Sequence, residues 1–582
     1  MSKTWRIKPK VNQELIDQFP EINPIVLQLL FSRGLIEQKA IDDFLNPNYD
    51  CQILDPFLFS EMEKAVERFL SAIARKEKIM VYGDYDADGV CATAVMFETL
   101  KSLGQDAEIY IPFRESEGYG LNTKVVQQII EQGFNLVVTV DCGVSNVQEI
   151  KTLKEAGIDV VVLDHHQEPI ELPPALAIIN PSLKDSGYPF KNLSGAGVAF
   201  KFVQAVMSVG ERQNFPLKLP AGFDKWLLDL VAISTIGDIV SLLGENRILT
   251  KYGLMVLEKT KRIGLKKLIE NINNFSGVID AEYVGWRLVP RLNAAGRIDH
   301  ASLAFYLLTA KTEEEAEKMA ETLEKNNQER QQITDKILKE AEIQIGEVKE
   351  EIKILWVVGD GWPVGVVGLV AGRLCDRYHR PALVVTRDGD PKVSDGASKF
   401  VGSGRSIDEF NITDGLKECE KFLARFGGHS QACGFTALGE DNFKNFKDKL
   451  TEIAEKKLKN IDLTPILVVE TEIELKDINW ELLADLEKFE PFGEDNPKPL
   501  FAAFGLRVEQ IQTVGSDGKH LRILASQAEH PNIHKFIGFS FGEWRARLKA
   551  GDKIDIIFEL GVNEWNGSRE LQLKIVDIRK MC

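Results

Sequence analysis

Three aspartates stand at alternate positions in the segment VYGDYDADGV, residues 81–90. Asp84, Asp86 and Asp88 follow directly after the apolar stretch Ile79–Tyr82, which is typical of a buried strand. Carboxylates this close together repel one another unless protons or cations lie between them. Taken alone, such a pattern is more often a solvated loop or a helix cap than a metal site. Metal binding is therefore indicated only if other segments bring further ligands to the same place.

Further acids and two histidines follow other apolar runs. Asp141 ends VVTVD, and Asp238 follows VAISTIG. Asp164 ends VVVLD and is followed by His165 and His166. Carboxylates with one or two imidazoles suit Mn²⁺ or Mg²⁺, whereas Zn²⁺ is expected with thiolates or more histidines. Two such ions ~3.5–4 Å apart, bridged by one carboxylate, clamp the attacking and leaving oxygens of a phosphoryl transfer.

The elements around these residues predict that they meet. From about residue 60 to 180, short β-branched runs such as KIMVY, NLVVTVD and IDVVVLD alternate with helical segments. This alternation predicts a parallel sheet with helices on both faces. Ligands of such sheets bind beyond the carboxyl ends of the strands. The first acids and both histidines stand at these ends, so we expect them in one crevice.

The rest of the chain predicts a long connecting helix and two further domains. Residues 190–310 are mostly helical in pattern, and Lys311–Ile345 contains neither Gly nor Pro, which predicts one helix spanning ~50 Å. Its sparse apolar positions indicate a connector between domains. A second α/β unit ends near residue 455, and alternating strands with Gly/Asn/Asp turns then predict an OB-fold barrel. The predicted fold is α/β: two α/β lobes joined by a long helix, plus a C-terminal β-barrel.

Composition excludes several classes of protein. A chain of 582 residues is too long for one core. Its net charge of −17 argues against broad non-specific attraction to nucleic acid, although a basic groove can coexist with an acidic exterior. Seven scattered cysteines without a CxxC pair indicate reduced thiols. The N-terminus lacks a signal-peptide core and no apolar run suits a membrane helix, so we expect a cytoplasmic protein.

The chain resembles the DHH phosphoesterase superfamily in an ordered series of motifs: DYDADG, VDCG, DHH and the aspartate of TIGDIV. It is similar to the RecJ branch, the single-strand-specific 5′→3′ exonucleases, in RLNAAGRI, GSGRSI, FGGHSQACGF, GENRILTKYGL and YPFKNLSGAGVAFKF. The resemblance extends over nearly the whole chain. It implies a DHH catalytic domain with an N-terminal extension at 1–310, a connecting helix at 311–348, a DHHA1 substrate-binding domain at 349–457 and an OB-fold at 458–582.

The resemblance implies a two-ion site for Mn²⁺ or Mg²⁺. Asp86 would bind one ion and Asp88 the other, with Asp84 supporting the same cluster. Asp141 would bridge the two ions. His165 and Asp238 would complete the second ion's ligands.

Two neighbours of these ligands have other implied roles. His166 is similar in position to the histidine with which the family contacts substrate phosphate. Asp164 would orient the His165 ring without binding a metal ion itself. A bridging hydroxide would attack phosphorus in line and release a 5′-mononucleotide.

The glycine-rich motifs are candidates for substrate contacts. In GSGRSI, glycines let backbone N–H groups approach a phosphate, while Ser403 and Arg405 add side-chain donors. His429 follows Gly428 in FGGH and is suited to a backbone phosphate. Such glycine-rich segments are otherwise usually turns.

Other contacts are expected in the first lobe and in the barrel. Arg291 and Arg297 flank Asn293 and could clamp the 5′ end of the substrate; the alternative for each arginine is a surface ion pair. A groove between two lobes would admit one strand but not a duplex, and the barrel would hold that strand through basic and stacking residues. The candidates there, for which a place in the core is the stronger alternative, are Lys519, Arg522, Phe541 and Trp544.

Two positions depart from the family pattern. Pro363 in GDGWPVGVVG stands where RecJ proteins usually have a histidine, which puts substrate handling by the second lobe in doubt. Glu494 and Asp495 stand where a glycine is common, which does the same for the geometry of that loop.

The function implied is metal-dependent degradation of single-stranded DNA from the 5′ end to 5′-mononucleotides in recombination and repair. A single-strand-binding protein and a helicase would be its partners, and the enclosed groove works as a monomer. One alternative is a DHH phosphodiesterase for short oligonucleotides or cyclic dinucleotides, although those chains are usually shorter and lack the barrel. Another is an inactive DHH scaffold that binds DNA, although such relatives lose ligands that this chain retains.

Overall fold

The computed structural model describes residues 3–114, 117–212, 219–272, 277–388, 398–527, 530–565 and 568–581. The chain starts with a small N-terminal segment. Its elements are β1 (Thr4–Ile7), α1 (Gln13–Gln18), α2 (Pro24–Phe31), α3 (Gln38–Leu45) and α4 (Tyr49–Gln52). None of the helices within the described ranges combines the length and the apolar character that a membrane span requires.

The first lobe contains a five-stranded sheet, covered on both faces, and a group of helices. Its first part comprises α5 (Met62–Ala74), β2 (Ile79–Tyr82), α6 (Ala87–Ser102), β3 (Ala107–Tyr110), α7 (Thr123–Glu131), β4 (Leu136–Val140), α8 (Val147–Glu155), β5 (Asp159–Leu163) and β6 (Ala177–Ile179). Its second part comprises α9 (Gly195–Arg212), α10 (Phe223–Gly237), α11 (Gly244–Glu258), α12 (Ile263–Asn271), α13 (Ala281–Tyr283), a π-helical turn (Val284–Leu288), α14 (Val289–Ile298) and α15 (Ser302–Leu308).

The sheet of the first lobe is parallel throughout and has the strand order β3-β2-β4-β5-β6. Successive strand residues enter different cores: Ile79 and Val81 pack on one face, and Met80 and Tyr82 on the other. Because both faces are covered, these strands are apolar without alternation. The carboxyl ends of β2, β4 and β5 lie side by side, which confirms the predicted arrangement of the strands.

One long helix links the two lobes. Helix α16 (Glu313–Ile345) has 33 residues and begins at the N-cap Thr312, whose side chain accepts a hydrogen bond from the Glu315 N–H. Ala320 and Leu323, in its first half, belong to the core of the first lobe. Ile337 and Ala341, further along, belong to the core of the second lobe. The helix therefore joins two cores, as its sparse apolar pattern predicts.

The second lobe is a mixed α/β layer. It comprises β7 (Leu355–Asp360), α17 (Val364–Tyr378), β8 (Ala382–Asp388), β9 (Lys399–Arg405), α18 (Ile412–Lys417), β10 (Arg425–His429), β11 (Ala432–Leu438) and α19 (Glu440–Lys457). The strand order is β10-β11-β9-β8-β7, and only β7 and β8 run parallel. The two glycine-rich motifs lie on β9 and β10, not in turns. At Gly402, a side chain would meet the Phe435 ring at 2.3 Å, so glycine makes room for that ring.

The C-terminal body is a closed barrel. Its elements are β12 (Ile466–Val469), β13 (Thr471–Glu472), α20 (Trp480–Glu487), β14 (Phe501–Val514), β15 (His520–Gln527), β16 (His530–Gly538), β17 (Lys553–Trp565) and β18 (Ser568–Lys580). Strand β14 pairs with both β15 and β17, and β18 lies between β16 and β17, so five strands close on themselves. The predicted fold class, two α/β lobes with a connecting helix and an OB-fold barrel, is confirmed.

The N-terminal segment packs on the barrel although the two are distant in sequence. Leu29, Leu30 and Phe44 share one core with barrel residues such as Phe501 and Leu482. Strand β1 also pairs in parallel with β12. Residues 4–45 therefore pack on the barrel, although they precede the first lobe in the chain.

A buried ion pair in the first lobe holds Leu54, in the linker that follows this segment. Lys201 Nζ lies 3.0 Å from Glu245 Oε1, and both side chains are fully buried. Lys201 also donates to the Leu54 carbonyl, and Glu245 accepts from the Leu54 N–H at 3.0 Å and from the Tyr188 hydroxyl at 2.5 Å. The pair thus satisfies both backbone polar groups of Leu54.

We expect Lys201→Met to destabilise the protein by about 3–5 kcal/mol, because it leaves Glu245 buried without its counter-ion. Urea unfolding followed by circular dichroism measures the loss. The matched control is Lys225→Met, which removes the exposed pair with Asp50 and should cost about 1 kcal/mol or less. Equal losses in the two variants would contradict the role given to the buried pair.

Candidate metal centre

The loop after β2 presents the first aspartates at the start of a helix. Asp86 is the N-cap of α6, and its Oδ1 accepts hydrogen bonds from the N–H groups of Asp88 (3.0 Å) and Gly89 (3.1 Å). Asp88 therefore stands in the first helical turn, whereas its alternation with Asp86 resembles a strand. The positive end of the helix dipole favours carboxylates at both positions.

Asp88 is held rigidly by three donors. Its carboxylate accepts from the N–H groups of Gly195 (2.7 Å) and Ala196 (2.8 Å) at the start of α9. The Ser234 hydroxyl in α10 adds a third hydrogen bond at 2.6 Å. Two helices that are far from Asp88 in sequence thus fix its orientation.

Asp141 lies at the end of β4 with a left-handed backbone, φ 58°. This conformation is uncommon for a residue with a side chain and frequently marks a functional site. Its Oδ1 lies 3.1 Å from His165 Nε2. Gly195 allows the start of α9 to lie against the Asp141 side chain, because a Cβ there would lie 2.6 Å from the Cβ of Asp141.

His165 and Asp238 complete the cluster. His165 Nε2 lies 3.7 Å from Asp88 Oδ2 and 3.5 Å from Asp238 Oδ2. Asp238 follows α10 as its C-cap, and the next residue, Ile239, has a φ of 56°, which is unusual for a β-branched side chain. Residues from four separate segments of the first lobe therefore meet at one point.

Three overlapping groups of ligand atoms result, each with all its atoms within 4.8 Å of one another. They are Asp84, Asp86 and Asp141; Asp88, His165 and Asp238; and Asp141, His165 and His166. Asp141 thus stands between a set from the β2 loop and a set centred on His165. The structure brings together all six residues that the sequence analysis predicts as metal ligands.

Burial and mutual repulsion dominate the electrostatics of the cluster. Burial, and then the neighbouring carboxylates, raise the pKa of Asp84, Asp86 and Asp141 above the usual range. The same causes raise the pKa of Asp238 to about 9. Burial lowers the pKa of His165, so its imidazole is neutral at neutral pH and can act as a ligand. Without cations, the cluster would therefore hold protons in their place.

The cluster fits divalent cations. Asp84 Oδ1, Asp141 Oδ1 and His165 Nε2 are buried and have no hydrogen-bond partner among the described residues. Buried polar atoms are normally satisfied, so these three require a missing partner. The carboxylate-rich donor set with one neutral imidazole is the set that Mn²⁺ and Mg²⁺ accept.

Asp164 orients His166, which differs from the prediction that it orients the His165 ring. Its Oδ1 lies 2.8 Å from His166 Nδ1, and from His165 it accepts only the backbone N–H, at 2.7 Å. Burial alone would raise the pKa of Asp164, but the hydrogen bond and charge of His166 hold it at about 2. In turn, Asp164 outweighs the effect of burial on His166 and raises the pKa of that imidazole to about 9. His166 is therefore cationic beside a neutral His165.

Tyr119 is a neighbour of this pair that the sequence analysis missed. Its hydroxyl lies 3.0 Å from His166 Nδ1 and donates to the Asp141 carbonyl at 3.4 Å. It lies between β3, which ends at Tyr110, and α7, which begins at Thr123, and no motif marks it in the sequence.

A group of arginines faces the cluster. Burial, and then the charges of Arg114, Arg330 and Arg405, lower the pKa of Arg297 to about 9. Arg297 donates to the Gly365 carbonyl of the second lobe at 2.7 Å, and Arg114 lies over the Tyr85 ring at 4.8 Å. Guanidinium groups gathered in this way are suited to bind an anion. We call Arg114, Arg297, Arg330 and Arg405 the arginine cluster.

Only part of this cluster is predicted from the sequence. Arg297 and Arg405 stand in motifs, and Arg114 follows strand β3, where the rule that identified the aspartates, namely a polar residue beyond a strand end, would have found it. Arg330 lies on the long helix, where no sequence signal marks it. Ser403, in the same motif as Arg405, positions that side chain: its hydroxyl accepts a hydrogen bond from Arg405 Nη1 at 3.2 Å.

Some of the other residues predicted to contact substrate are engaged with the protein itself. Arg291 is engaged in an ion pair with Glu324 of α16 at 2.5 Å, and it is buried, whereas the alternative considered for it was a surface pair. Asn293 Oδ1 accepts from the Ala87 N–H at 2.7 Å and so positions the loop between Asp86 and Asp88. Gly428 has a φ of 145°, and His429 beside it is exposed on β10.

The local structure accommodates both departures from the family pattern. Pro363 is the N-cap of α17, and the preceding Trp362 donates from Nε1 to Glu340 of α16 at 3.1 Å. Asp495 adopts the left-handed conformation that glycine would favour, with a φ of 58°. In the barrel, Phe541 and Trp544 pack partly against the core, the stronger alternative for them, and Lys519 pairs with Asp517.

A cleft of about 940 Å³ runs from this region to the barrel. The first lobe lines it with Asn293 and Arg297, the second lobe with Arg405, and the barrel with Lys498 and Lys574. All three bodies therefore contribute to one concave surface.

The comparisons with known proteins agree with this arrangement. Three protein-family models match the chain: the DHH family, N-terminal domain, at residues 78–235; the DHHA1 domain at 351–456; and the RecJ OB domain at 469–577. The chain is 38% identical to the single-stranded-DNA-specific exonuclease RecJ of Bacillus subtilis (strain 168), over 98% of this chain and 70% of that protein. It is 32% identical to the enzyme of the same name from Escherichia coli (strain K12), over 99% of this chain and 100% of that one.

A solved structure extends the similarity to three dimensions. The crystal structure of RecJ in complex with Mn²⁺ from Thermus thermophilus matches 99% of this chain and 80% of that chain, with a TM-score of 0.81 and 28% identity. The relatives thus match both lobes, the barrel and the segment that holds the acidic cluster. With this similarity over nearly its whole length, the chain belongs to the RecJ family.

Proposed function

We propose that the protein hydrolyses single-stranded DNA from the 5′ end, releases 5′-mononucleotides and acts in DNA recombination and repair. The observation on which the mechanism rests is the buried cluster of carboxylates and imidazoles, in which Asp84 Oδ1, Asp141 Oδ1 and His165 Nε2 lack partners among the described residues. Two Mn²⁺ or Mg²⁺ ions, when bound there, supply a water of lowered pKa and neutralise charge at the reacting phosphate. The other parts of the mechanism belong to the chain's own residues.

The residues that would hold the ions divide into two sets. Asp84 and Asp86 would hold one ion, and Asp88, His165 and Asp238 the other. Asp141 would serve both, since it belongs to groups on either side. The hydrogen bonds to Asp88 from α9 and α10 would keep the two sets at a constant separation.

His166 would contact the phosphate that is attacked. Asp164 keeps its imidazole protonated at neutral pH, so it can donate a charge-assisted hydrogen bond to a non-bridging oxygen. Tyr119 and Asp164 hold the ring on the Nδ1 side, which leaves Nε2 for the substrate.

The arginine cluster would bind the 5′-terminal phosphate. The charges of Arg114, Arg330 and Arg405 disfavour the protonated form of the buried Arg297, and a dianion placed among the four guanidinium groups would offset this repulsion. A strand anchored there by its 5′ phosphate would extend past the acidic cluster into the cleft, so the bond cleaved would be one near the 5′ end. Ser403, Arg405, Gly428 and His429 of the second lobe would hold adjacent phosphates.

Neither alternative function has an observation in its favour. A phosphodiesterase for short oligonucleotides has no need of the barrel, which the RecJ OB domain model matches over residues 469–577. An inactive scaffold is expected to lose ligands, whereas all the predicted ones converge here.

We further propose the domain division 1–310, 311–348, 349–457 and 458–582. The end of α16 at Ile345 and the end of α19 at Lys457 support the inner boundaries. We also propose a cytoplasmic monomer that works with a single-strand-binding protein and a helicase. Scattered cysteines without pairing support the first part, and the cleft formed within one chain supports the second.

Asp141→Ala should abolish the nuclease activity, because it removes the carboxylate that both ion sites share. We expect at least a ~10³-fold loss of kcat with Mn²⁺. The assay uses single strands labelled at the 5′ or the 3′ end, beside a duplex of the same sequence. Asp106→Ala, at an exposed aspartate outside the cluster, is the control. Undiminished cleavage by Asp141→Ala, or release mainly from 3′ ends, would refute the proposal.

Arg405→Gln should weaken the preference for a 5′ phosphate over a 5′ hydroxyl. Losing one charge-assisted hydrogen bond at the arginine cluster should raise KM for the phosphorylated strand about tenfold and leave KM for the hydroxyl strand nearly unchanged. Arg507→Gln, at an exposed arginine of the barrel, controls for a general loss of positive charge. An equal rise of KM for both strands would count against a terminal-phosphate site.

Metal binding should strengthen as the pH rises. In the absence of cations the pKa values of Asp84, Asp141 and Asp238 are raised, so protons occupy the cluster and must leave when a metal binds. We expect the Kd for Mn²⁺ to fall about tenfold between pH 6 and pH 7.5. Calorimetry in buffers of different ionisation enthalpy should record proton release. A pH-independent Kd without proton release would contradict this account of the site.

A further inference from the structure

The cleft has an unexplained apolar side. Among the described residues, four of the large hydrophobic side chains that are exposed to solvent line this cleft: Ile239, Met255, Val278 and Trp286, with exposed fractions of 69%, 51%, 72% and 77%. Exposed apolar side chains are ordinary when scattered, but a group of them in one cleft indicates a binding surface. None of them belongs to the metal or phosphate contacts described above.

Electrostatic attraction to the strand's backbone does not account for binding in this part of the cleft. Here Lys498 and Lys574 both lie near Glu559, at 3.7 Å and 3.4 Å, and their charges are partly compensated. Glu258 and Glu490 also line the same walls. A nucleic acid that passes these acids needs a favourable contact other than with its phosphates.

The position of Trp286 relates it to the reacting centre. It lies in the π-helical turn Val284–Leu288, which continues directly into α14. Seven positions further along the same helical segment, Asn293 binds the backbone between Asp86 and Asp88. At 1.5 Å per residue, the two backbone positions are roughly 10 Å apart along the helix axis, a separation that a few nucleotides of single strand can span.

The backbone indicates that this position is specialised. π-Helical turns are rare and frequently occur at functional sites. The residue before Trp286, Gly285, faces α10, since a Cβ there would lie 3.4 Å from Ile236 Cγ2. The turn therefore packs one side against the helix that ends at Asp238, while the next residue extends into the cleft. Ile239, on its left-handed backbone directly after Asp238, extends into the same space.

We propose that Trp286 is a stacking platform for a base of the single strand within about the first five nucleotides, with Ile239 as a second apolar contact for the bases. This inference rests on the proposed function and adds residues that select the strand. Stacking on an indole is independent of base identity, because every base has an aromatic face. Bases in a duplex are already paired and stacked, so only an unpaired strand can use the platform.

Trp286→Ala should raise KM for a 5′-phosphorylated oligonucleotide about tenfold with kcat nearly unchanged, and Trp286→Phe should retain most of the affinity. Trp226→Ala is the matched control, since Trp226 is also an exposed tryptophan of the first lobe but lines a different, smaller cavity. An oligonucleotide series with one abasic site at each of the first eight positions identifies the contact. An abasic site at one or two of these positions should raise the KM of the wild-type protein about as much as Trp286→Ala does. The same abasic sites should have little further effect on the KM of that variant.

A binding measurement separates this inference from the proposed function. In the Asp141→Ala background, fluorescence anisotropy of labelled single strands records affinity without cleavage. Nearly equal affinities with Trp286 intact and with Trp286→Phe, but an affinity about tenfold weaker with Trp286→Ala, would support the platform even if no nuclease activity were detected. Wild-type affinity and KM in Trp286→Ala, or equal penalties from abasic sites in both proteins, would overturn it.

Discussion

Five carboxylates share one small buried volume with two imidazoles at the carboxyl edge of the first sheet, and their repulsion constrains the whole first lobe. Burying like charges together is unfavourable unless cations or protons compensate them. The structure opposes this repulsion with fixed hydrogen bonds rather than with flexible counter-ions. The N–H groups of Gly195 and Ala196 and the Ser234 hydroxyl hold Asp88, while the start of α6 holds Asp86. The cluster thus keeps its geometry whatever neutralises its charge.

The two adjacent histidines differ in protonation state although they lie in the same site. His165 faces the carboxylates with Nε2 and is kept neutral by burial. His166 has Asp164 within 2.8 Å and is kept positive by that contact. A neutral imidazole can coordinate a metal, and a protonated one can bind a phosphate oxygen. A single buried aspartate therefore separates the functions of neighbouring positions in the chain.

The sequence predicts the fold and the metal cluster better than it predicts the phosphate and base contacts. Buried strands are recognisable as apolar runs, and Asp141 directly follows one of them, so topology alone places it. Arg330 lies on a half-buried face of the long helix, and Trp286 on a π-helical turn, and neither environment has a local sequence signature. Asp86 and Asp88 alternate as in a strand but form a helix start, because capping by Asp86 satisfies two backbone N–H groups. The pairing of the N-terminal segment with the barrel is a long-range contact that periodicity cannot detect.

That pairing has a consequence for biosynthesis. Phe44 and Ile473 share one core although more than 400 residues separate them. At ~5–20 residues per second, the ribosome needs roughly 20–90 s to make the second after the first. During that interval the apolar faces of the early helices have no native partner. The core that they share with the barrel can therefore form only after both segments have been synthesised.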